Sequence, residues 1–362
     1  MSRILVTGGA GFIGSHTCLL LLEQGHDLVV VDSFVNSNPK SLMQVLFLAG
    51  IEQEKQNRLM VHNTDVRNKE FLRFIFKTAI SEGRPINAVI HFAGLKCVSE
   101  SIENHLEYWD VNVIGSRTLF TTMEEFNCKT IVFSSSCAVY GVAENYPTSE
   151  KEKINPANPY GHTKATVEKI LRNLKAIHPD WRIMSLRYFN PVGAHPSGLL
   201  GEDPSGVPNN LMPLINQTAS GRIKVLKVYG GDWDTPDGTP IRDYIHIMDL
   251  SRGHVAALNY LLEKESECLA LNLGTGVGYS VLQVIEAYKS TSDIDIPYEI
   301  VERRKGDVPI TLADPTKAIE TLKWKATGTL EDMCRDGWVW QHLNPEGYNS
   351  VLRFADKNPS TK

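Results

Sequence analysis

The stretch Ile4-Leu5-Val6-Thr7-Gly8-Gly9-Ala10-Gly11-Phe12-Ile13-Gly14 decides how this chain is read. A short strand-like run enters a glycine turn, and the residues from Phe12 onward read as a helix. Gly8, Gly11 and Gly14 stand at Gly-x-x-Gly-x-x-Gly spacing. In a strand–turn–helix unit such glycines have separate tasks. One permits the tight turn, one lets the backbone approach a pyrophosphate, and one lets the helix pack on the strand. The helix N-terminus then offers N–H groups and a partial positive charge to phosphate. A glycine triplet alone also fits a plain tight turn. Asp32 separates the two readings. It ends the second apolar strand, 18 residues after Gly14. A carboxylate there can bind ribose hydroxyls and would repel a 2′-phosphate, which favours NAD over NADP. Asp65, after the third strand, suits an adenine amino group, and equally suits a helix cap.

Outward from this stretch, apolar runs alternate with amphipathic ones. Strands are predicted at Ile4–Thr7, Leu28–Val31, Leu59–His62, Ala88–His91, Thr130–Ser134 and Ile183–Leu186. Helices are predicted near 12–24, 68–82, 102–126 and 160–177. The alternation implies βαβ units and a doubly wound parallel sheet, an α/β Rossmann domain. Its strands read as continuous apolar runs, as expected when both faces are buried. After Asn190-Pro191 the sequence becomes rich in Gly, Pro, Asn and Asp through 245, the texture of a binding surface. Helical patterns resume near 248–263, 280–291 and 329–343. The expected division is a cofactor domain over 1–189, a smaller turn-rich substrate domain over 190–348, and a tail over 349–362. Part of 240–265 is expected to return to the first domain. Residues 38–58 read as an amphipathic insert ending in the polar run Glu52–Asn57.

Composition excludes several classes. A formal net charge of −5 with no long basic stretch argues against nucleic acid or an anionic membrane as partner. The N-terminus enters a strand at once, without a cleavable apolar segment, and no window approaches a membrane span. The six cysteines are scattered without a Cys-x-x-Cys pair and read as reduced thiols of a cytoplasmic protein. The eleven histidines form no ligand cluster, so no metal is expected.

A second motif carries chemistry. Tyr160-Gly161-His162-Thr163-Lys164 begins a helix near Pro159, with Ser134-Ser135-Ser136 upstream. Tyr160 and Lys164 are i and i+4 and share a face. A free phenol is a poor base near neutrality, and an adjacent ammonium favours its charged form. Tyr160 can then take a proton from an alcohol while hydride leaves the same carbon. Ser136, at the carboxyl end of the fifth strand, can hydrogen-bond the reacting oxygen. A surface Tyr–Lys pair would look the same in isolation. The glycine turn, Asp32 and the serines make it a catalytic set.

These residues, with His91-Phe92-Ala93-Gly94-Leu95-Lys96, Arg187-Tyr188-Phe189-Asn190-Pro191-Val192-Gly193-Ala194, Pro208-Asn209-Asn210-Leu211-Met212-Pro213 and Arg242-Asp243-Tyr244-Ile245-His246, resemble the extended short-chain dehydrogenase/reductases, and within them the UDP-glucose 4-epimerase branch, over roughly residues 2–348. The resemblance implies an NAD site lined by Phe12, Ile13, Asp32, Ser33, Phe34, Val35, Asn36, Ser37, Asp65, Val66, Phe92, Ala93, Gly94, Leu95, Lys96, Asn112, Lys164 and Phe189. It implies a UDP-sugar site from Asn190, Asn210, Leu211, Tyr229, Arg242, Arg304 and Asp307. Two arginines suit a diphosphate, and Tyr229 suits uracil. The implied reaction interconverts UDP-glucose and UDP-galactose through transient oxidation at the sugar C4, with NAD retained between turnovers. Thr311 occupies the position that faces the sugar's 2-substituent in this family, so N-acetylated sugars are expected to be admitted. A homodimer is expected through helices 102–126 and 160–177, by way of Leu119, Phe120, Met123, Val167, Ile170, Leu171 and Leu174. Rival readings are a nucleotide-sugar 4,6-dehydratase, another sugar epimerase or decarboxylase of the same fold, and a non-catalytic NAD-sensing protein. Cys137-Ala138 stand where a dehydratase needs an acid and a base.

Overall fold

The apolar runs pair as seven parallel strands. The computed structural model describes residues 1–51, 57–206 and 208–350. In its first half the elements are β1 (Arg3–Thr7), α1 (Phe12–Glu23), β2 (Asp27–Asp32), α2 (Lys40–Leu48), β3 (Leu59–Asn63), α3 (Lys69–Ser81), β4 (Ile86–His91), α4 (Val98–Glu103), α5 (His105–Tyr108), α6 (Gly115–Glu125), β5 (Thr130–Ser136), α7 (Pro159–Ile177) and β6 (Arg182–Tyr188). The second half contains β7 (Asn190–Val192), α8 (Leu211–Ala219), β8 (Leu226–Tyr229), β9 (Ile241–His246), α9 (Ile247–Leu262), β10 (Glu267–Leu273), β11 (Gly278–Ser280), α10 (Val281–Ser292), β12 (Tyr298–Val301), β13 (Ile310–Thr311), α11 (Thr316–Leu322) and α12 (Leu330–Leu343).

The main sheet runs β10-β6-β5-β4-β1-β2-β3. Val6 lies opposite Val30 on one side and Ile90 on the other. Alternate residues point to opposite faces. Ile4, Val6, Val30 and Ile90 meet Leu19 and Leu22 of α1 and Leu250, Leu258 and Leu261 of α9. Leu5, Val29, Val31 and Val89 meet Leu72 and Phe76 of α3 and Val167 and Leu171 of α7. The chain leaves β1 toward β2 and β3, then returns to place β4 on the other flank of β1. Such a reversal opens a crevice at the carboxyl ends of the strands, where open α/β sheets bind ligands.

The structure departs from the expected elements in three places. A seventh strand, β10, pairs with β6, with Leu271 opposite Leu186. The return to the first domain, expected over 240–265, therefore runs on through Leu273. The run Glu267–Leu273 opens on Glu267, is half-buried over its first four residues and is interrupted by Asn272, so it carries little strand signal. The single helix expected over 102–126 is broken into α4, α5, a π-helical turn at Trp109–Ile114, and α6. Wide turns of this kind gather at functional sites. The insert holds α2, and residues 52–56 of its polar run lie outside the described residues, as do 351–362 of the tail. The turn-rich half is more ordered than its composition implies. β9 pairs with β7, β11 and β13, and β8 pairs with β12. A separate core of Met212, Ile215, Val228, Tyr244, Tyr288 and Met333 lies beneath them.

The apolar residues assigned to the dimer seam also need correction. Leu119, Phe120, Met123, Val167 and Leu171 are at most 4% exposed and fill the core against the sheet, with Ile170 and Leu174 packed beside them. The periodicity reported the sheet-facing stripe. Among the described residues, no helix is long and apolar enough to cross a membrane.

Candidate active site

The cofactor crevice is built from the glycine turn upward. Gly8 has φ +70°, and a Cβ there would lie 2.7 Å from the Ala93 backbone nitrogen. At Gly14 a Cβ would lie 2.2 Å from the Gly8 carbonyl oxygen. Only glycine lets the turn fold under α1. That helix starts at Phe12 with no side-chain cap and no acidic residue in its first turn, which leaves its N-terminus for an anion. Asp32 is buried and organises the crevice floor. Its Oδ2 accepts from the Ala10 N–H at 2.9 Å. Its Oδ1 accepts from the Phe34 N–H at 2.9 Å and from the Ser37 hydroxyl at 2.8 Å. A carboxylate has about four acceptor sites, so capacity remains for a ribose hydroxyl.

A cavity of about 210 Å³ occupies this crevice. Its walls include Gly8, Gly11, Phe12, Ile13, Gly14, Asp32, Ser33, Val35, Asn36, Ser37, Asp65, Val66, Phe92, Ala93, Gly94, Leu95, Lys96, Tyr160 and Lys164. A glycine cradle, an uncapped helix start and a strand-end carboxylate suit NAD. Four other expected cofactor residues lie off these walls. Phe34, held at φ +55°, packs against the core. Ser136 and Phe189 face the neighbouring cavity. Asn112 is buried behind the wall. It lies on the π-helical turn, accepts from the Leu95 N–H at 2.8 Å, and donates to the Leu95 carbonyl at 3.0 Å and to Thr163 Oγ1 at 3.1 Å. Asp65 is more committed than expected. Arg67 binds both its oxygens, at 2.9 and 2.8 Å, and holds its carboxyl below the usual range. The cap of α3 is Asn68 instead.

The catalytic set sits where β5, α7 and the crevice meet. Asn158 accepts from the Gly161 N–H at 2.9 Å and fixes the start of α7, with Pro159 in its first turn. Tyr160 and Lys164 thus project from adjacent turns, and both are buried. Lys164 Nζ donates to the Ser134 carbonyl at 2.8 Å and lies 5.8 Å from the centre of the Tyr160 ring. Burial pulls Lys164 down to about 8. Burial also pushes the Tyr160 phenol well above its ordinary value, with a smaller push from Tyr188 and an opposing effect of the Ser136 hydroxyl. Burial thus opposes the charge that the neighbouring ammonium favours. Ser136 Oγ accepts from the Ala138 N–H at 3.2 Å. His91, behind the site, pairs with Thr7 Oγ1 at 2.6 Å and Ser116 Oγ at 2.9 Å, and burial depresses it to about 3, so it is neutral.

A second cavity of about 330 Å³ opens on the other side of Tyr160. Ser136, Tyr160, Asn190, Asn210, Leu211, Tyr229, Arg242, Arg304, Asp307 and Thr311 all line it. They come from the end of β5, the start of α7, β7, the start of α8, the end of β8, β9, the loop before β13 and β13 itself. The Arg304 guanidinium lies 4.8 Å from the Tyr229 ring centre, and its Nε donates to Asp307 at 3.1 Å. Arg242 donates to the Ile241 and Pro309 carbonyls at 2.9 and 3.3 Å. Burial lowers its pKa, Asp307 opposes that, and Arg304 adds to it. Lys96, Lys227, Arg242, Arg304 and Lys305 against Glu202 and Asp307 leave the cavity short of negative charge. The Thr311 hydroxyl is buried with no partner among the described residues.

Sequence reasoning missed Tyr188, which lines both cavities and bonds the Ser134 hydroxyl. It also missed Glu168, whose carboxylate accepts from Ser135 Oγ at 2.6 Å and from Arg187 at 2.8 and 2.6 Å. Its signal was the spacing Tyr160, Lys164, Glu168, which puts three polar groups on one buried helix face.

Known proteins share this arrangement. The family model described as GDP-mannose 4,6 dehydratase matches residues 5–337. The UDP-glucose 4-epimerase of Dictyostelium discoideum is 50% identical over 347 residues, which cover 96% of this chain and 98% of that protein. The crystal structure of UDP-glucose 4-epimerase from Bifidobacterium longum with NAD+ and UDP is 44% identical, covers 96% of this chain and 100% of its own, and superposes with a TM-score of 0.90. The Stenotrophomonas maltophila epimerase, solved with NAD and formylated UDP-arabinopyranose, is 41% identical over 98% and 100% of the chains, with a TM-score of 0.89. With these matches added to the two cavities that share Tyr160, the chain belongs to the UDP-glucose 4-epimerase family of the extended short-chain dehydrogenase/reductases.

Proposed function

We propose that this protein is an NAD-dependent enzyme that interconverts UDP-glucose and UDP-galactose at the sugar C4. The observation that carries the reading is the position of Tyr160 on the wall shared by the two cavities. Bound NAD supplies a reversible hydride acceptor that each cycle regenerates. Tyr160 takes the proton of the 4-hydroxyl and later returns it, while Ser136 hydrogen-bonds the same oxygen. Lys164 holds the strand end through the Ser134 carbonyl and offers positive charge to the phenolate. Arg242 and Arg304 face the diphosphate and Tyr229 the uracil. Anchoring at the nucleotide leaves the 4-keto sugar free to turn over and present its other face.

Residues 1–189 with 247–273 are read as the cofactor-carrying body and the rest of 190–348 as the UDP-sugar cap. A dehydratase reading lacks its acid and base. The Cys137 thiol is pushed up to about 12 by burial, and Ala138 has no titratable group. We place the enzyme in the cytoplasm as a homodimer. The surface for the second copy is the outward stripe Ile102, Leu106, Trp109 and Ile114, which is 38–73% exposed. Thr311, short and unpartnered, leaves room for a 2-acetamido group. Selectivity from pocket size alone amounts to a few kcal/mol, so UDP-N-acetylglucosamine is read as a second substrate.

Product analysis tests the reading. Purified protein given UDP-galactose and no added NAD should form UDP-glucose, and UDP-N-acetylglucosamine should also turn over. Thr311→Tyr should lose the second activity and keep the first. A dehydrated or decarboxylated product would overturn the main reading, and a need for added NAD with ordinary saturation would overturn the retention of the cofactor between turnovers.

A further inference from the structure

The segment Leu200–Ser205 runs beside the rim of the cofactor crevice. Three contacts tie its front to the crevice walls. The Leu200 carbonyl meets His16 Nε2 of α1 at 3.3 Å. Glu202 Oε1 accepts from Lys96 Nζ at 2.8 Å. The Ser205 N–H donates to Asn36 Oδ1 at 3.0 Å. These partners come from the helix behind the glycine turn, the loop after β4 and the loop after β2, so the segment is tied to three parts of the crevice rim. Phe12, Asn36 and Lys96 themselves line the cofactor cavity. Between the segment and the glycine turn there remains only about 20 Å³, room for about one water.

The back of the same segment is pinned by the C-terminal region. Trp340 Nε1 donates to the Glu202 carbonyl at 3.2 Å. The Tyr348 hydroxyl bonds both the Gly201 N–H, at 3.2 Å, and the Gly201 carbonyl, at 3.0 Å. Asp203 Oδ2 accepts from the Tyr348 N–H at 3.0 Å. A Cβ at Gly201 would lie 2.4 Å from the Trp340 ring, so strap and α12 are in close contact. The Glu202 side chain is 11% exposed and Lys96 45%. An ion pair this exposed is weak alone. It gains force by acting with the other contacts on one pinned segment.

We propose that Leu200–Ser205 is a strap that retains the dinucleotide, with Glu202 as its cofactor-retaining residue and Tyr348 as its anchor. The strap slows escape of the cofactor between turnovers, which a reaction that regenerates its cofactor requires. The proposal rests on the NAD reading of the crevice and assigns these residues to retention, apart from the proton chemistry at Tyr160.

The test measures NAD release. Holoenzyme is desalted at intervals and the NAD still bound is quantified after denaturation, for wild type, Glu202→Gln and Tyr348→Phe. Each variant should release NAD at least about tenfold faster, the factor that 1.4 kcal/mol corresponds to, and saturating NAD should restore kcat. Tyr348→Phe keeps the ring in its packed position and removes only the hydroxyl, so it reports on the strap from the side away from Lys96. Release as slow as wild type in either variant overturns the strap. Wild-type protein that purifies without any NAD would overturn the cofactor reading itself, a separate outcome.

Discussion

At the residue scale, the site combines groups that burial pushes toward their neutral forms. Tyr160 is held protonated by dehydration and Lys164 is drawn down to about 8. Positive charge placed beside the phenol would oppose that push. Tyr160→Phe keeps the ring packing and removes the proton carrier. General acid–base groups contribute about 10²–10⁴-fold, so turnover should fall by at least that factor with bound NAD unchanged, as read by steady-state kinetics and cofactor content. His91 gives a pH prediction. Its folded pKa is about 3 against an ordinary value of 6.5, so the unfolded chain binds the proton first as pH falls. Its contribution is complete above 6.5 and is lost progressively between about 6.5 and 3. The slope reaches about 1.4 kcal/mol per pH unit. Urea unfolding at pH 6.5 and 5.5 should show a steeper loss for wild type than for His91→Gln. Equal slopes would place the proton elsewhere.

At the element scale, α7 is the part that must not shift, because it carries Tyr160 and Lys164 past the end of β5. Glu168 ties it to β5 through Ser135 and to β6 through Arg187. Arg187 in turn donates to Tyr140 at 3.0 Å, and the Tyr140 hydroxyl donates to Asn272 of β10 at 2.7 Å. Both charges of the pair are at most 3% exposed. Removing one partner of such a pair costs about 3–5 kcal/mol, while replacing both with apolar residues of similar size is often neutral. Glu168→Ala should therefore be strongly destabilised in denaturant melts, and Glu168→Leu with Arg187→Met should recover much of that loss. Equal stability of the two variants would refute the account. The element scale also shows what the sequence made readable. β1, β2 and β4 announced themselves as apolar runs buried on both faces, and the edge strand β3 as the run Leu59-Met60-Val61. β10 did not, because its first four residues are only half-buried at the sheet edge. The break at Trp109–Ile114 was hidden because it serves the buried Asn112, whose partners lie 17 and 51 residues away. Ser136, Tyr160 and Lys164 were legible as a candidate set only because the glycine turn and Asp32 stood beside their spacing. The Asp65–Arg67 pairing and the role of Tyr188 depend on tertiary contacts that spacing does not encode.

At the scale of the whole molecule, burial reverses the apparent assembly surface. The apolar residues that recur on α6 and α7 are used up by the sheet. What the same region leaves outside is Ile102, Leu106, Trp109 and Ile114, with Leu106 73% exposed. Ile102 lies in α4, Leu106 in α5 and Trp109 at the start of the π-helical turn, so the three follow one another along this segment. Clustered apolar exposure of this sort marks interaction surfaces in soluble proteins, whereas single exposed side chains need no explanation. A stable pair of copies buries roughly 800 Å² on each partner. Four large side chains can supply only the apolar centre of such a patch, so the rim must be polar. Glu103, Glu107 and Arg117 are exposed beside the stripe and fit that role. Charging the centre should then separate the copies without touching either cavity. Sedimentation of wild type at micromolar concentration should give twice the 40.4 kDa chain mass. The double variant Leu106→Glu with Trp109→Glu should give a single chain mass. A wild type that sediments as a single chain, or a double variant that stays paired, would remove this stripe from the assembly.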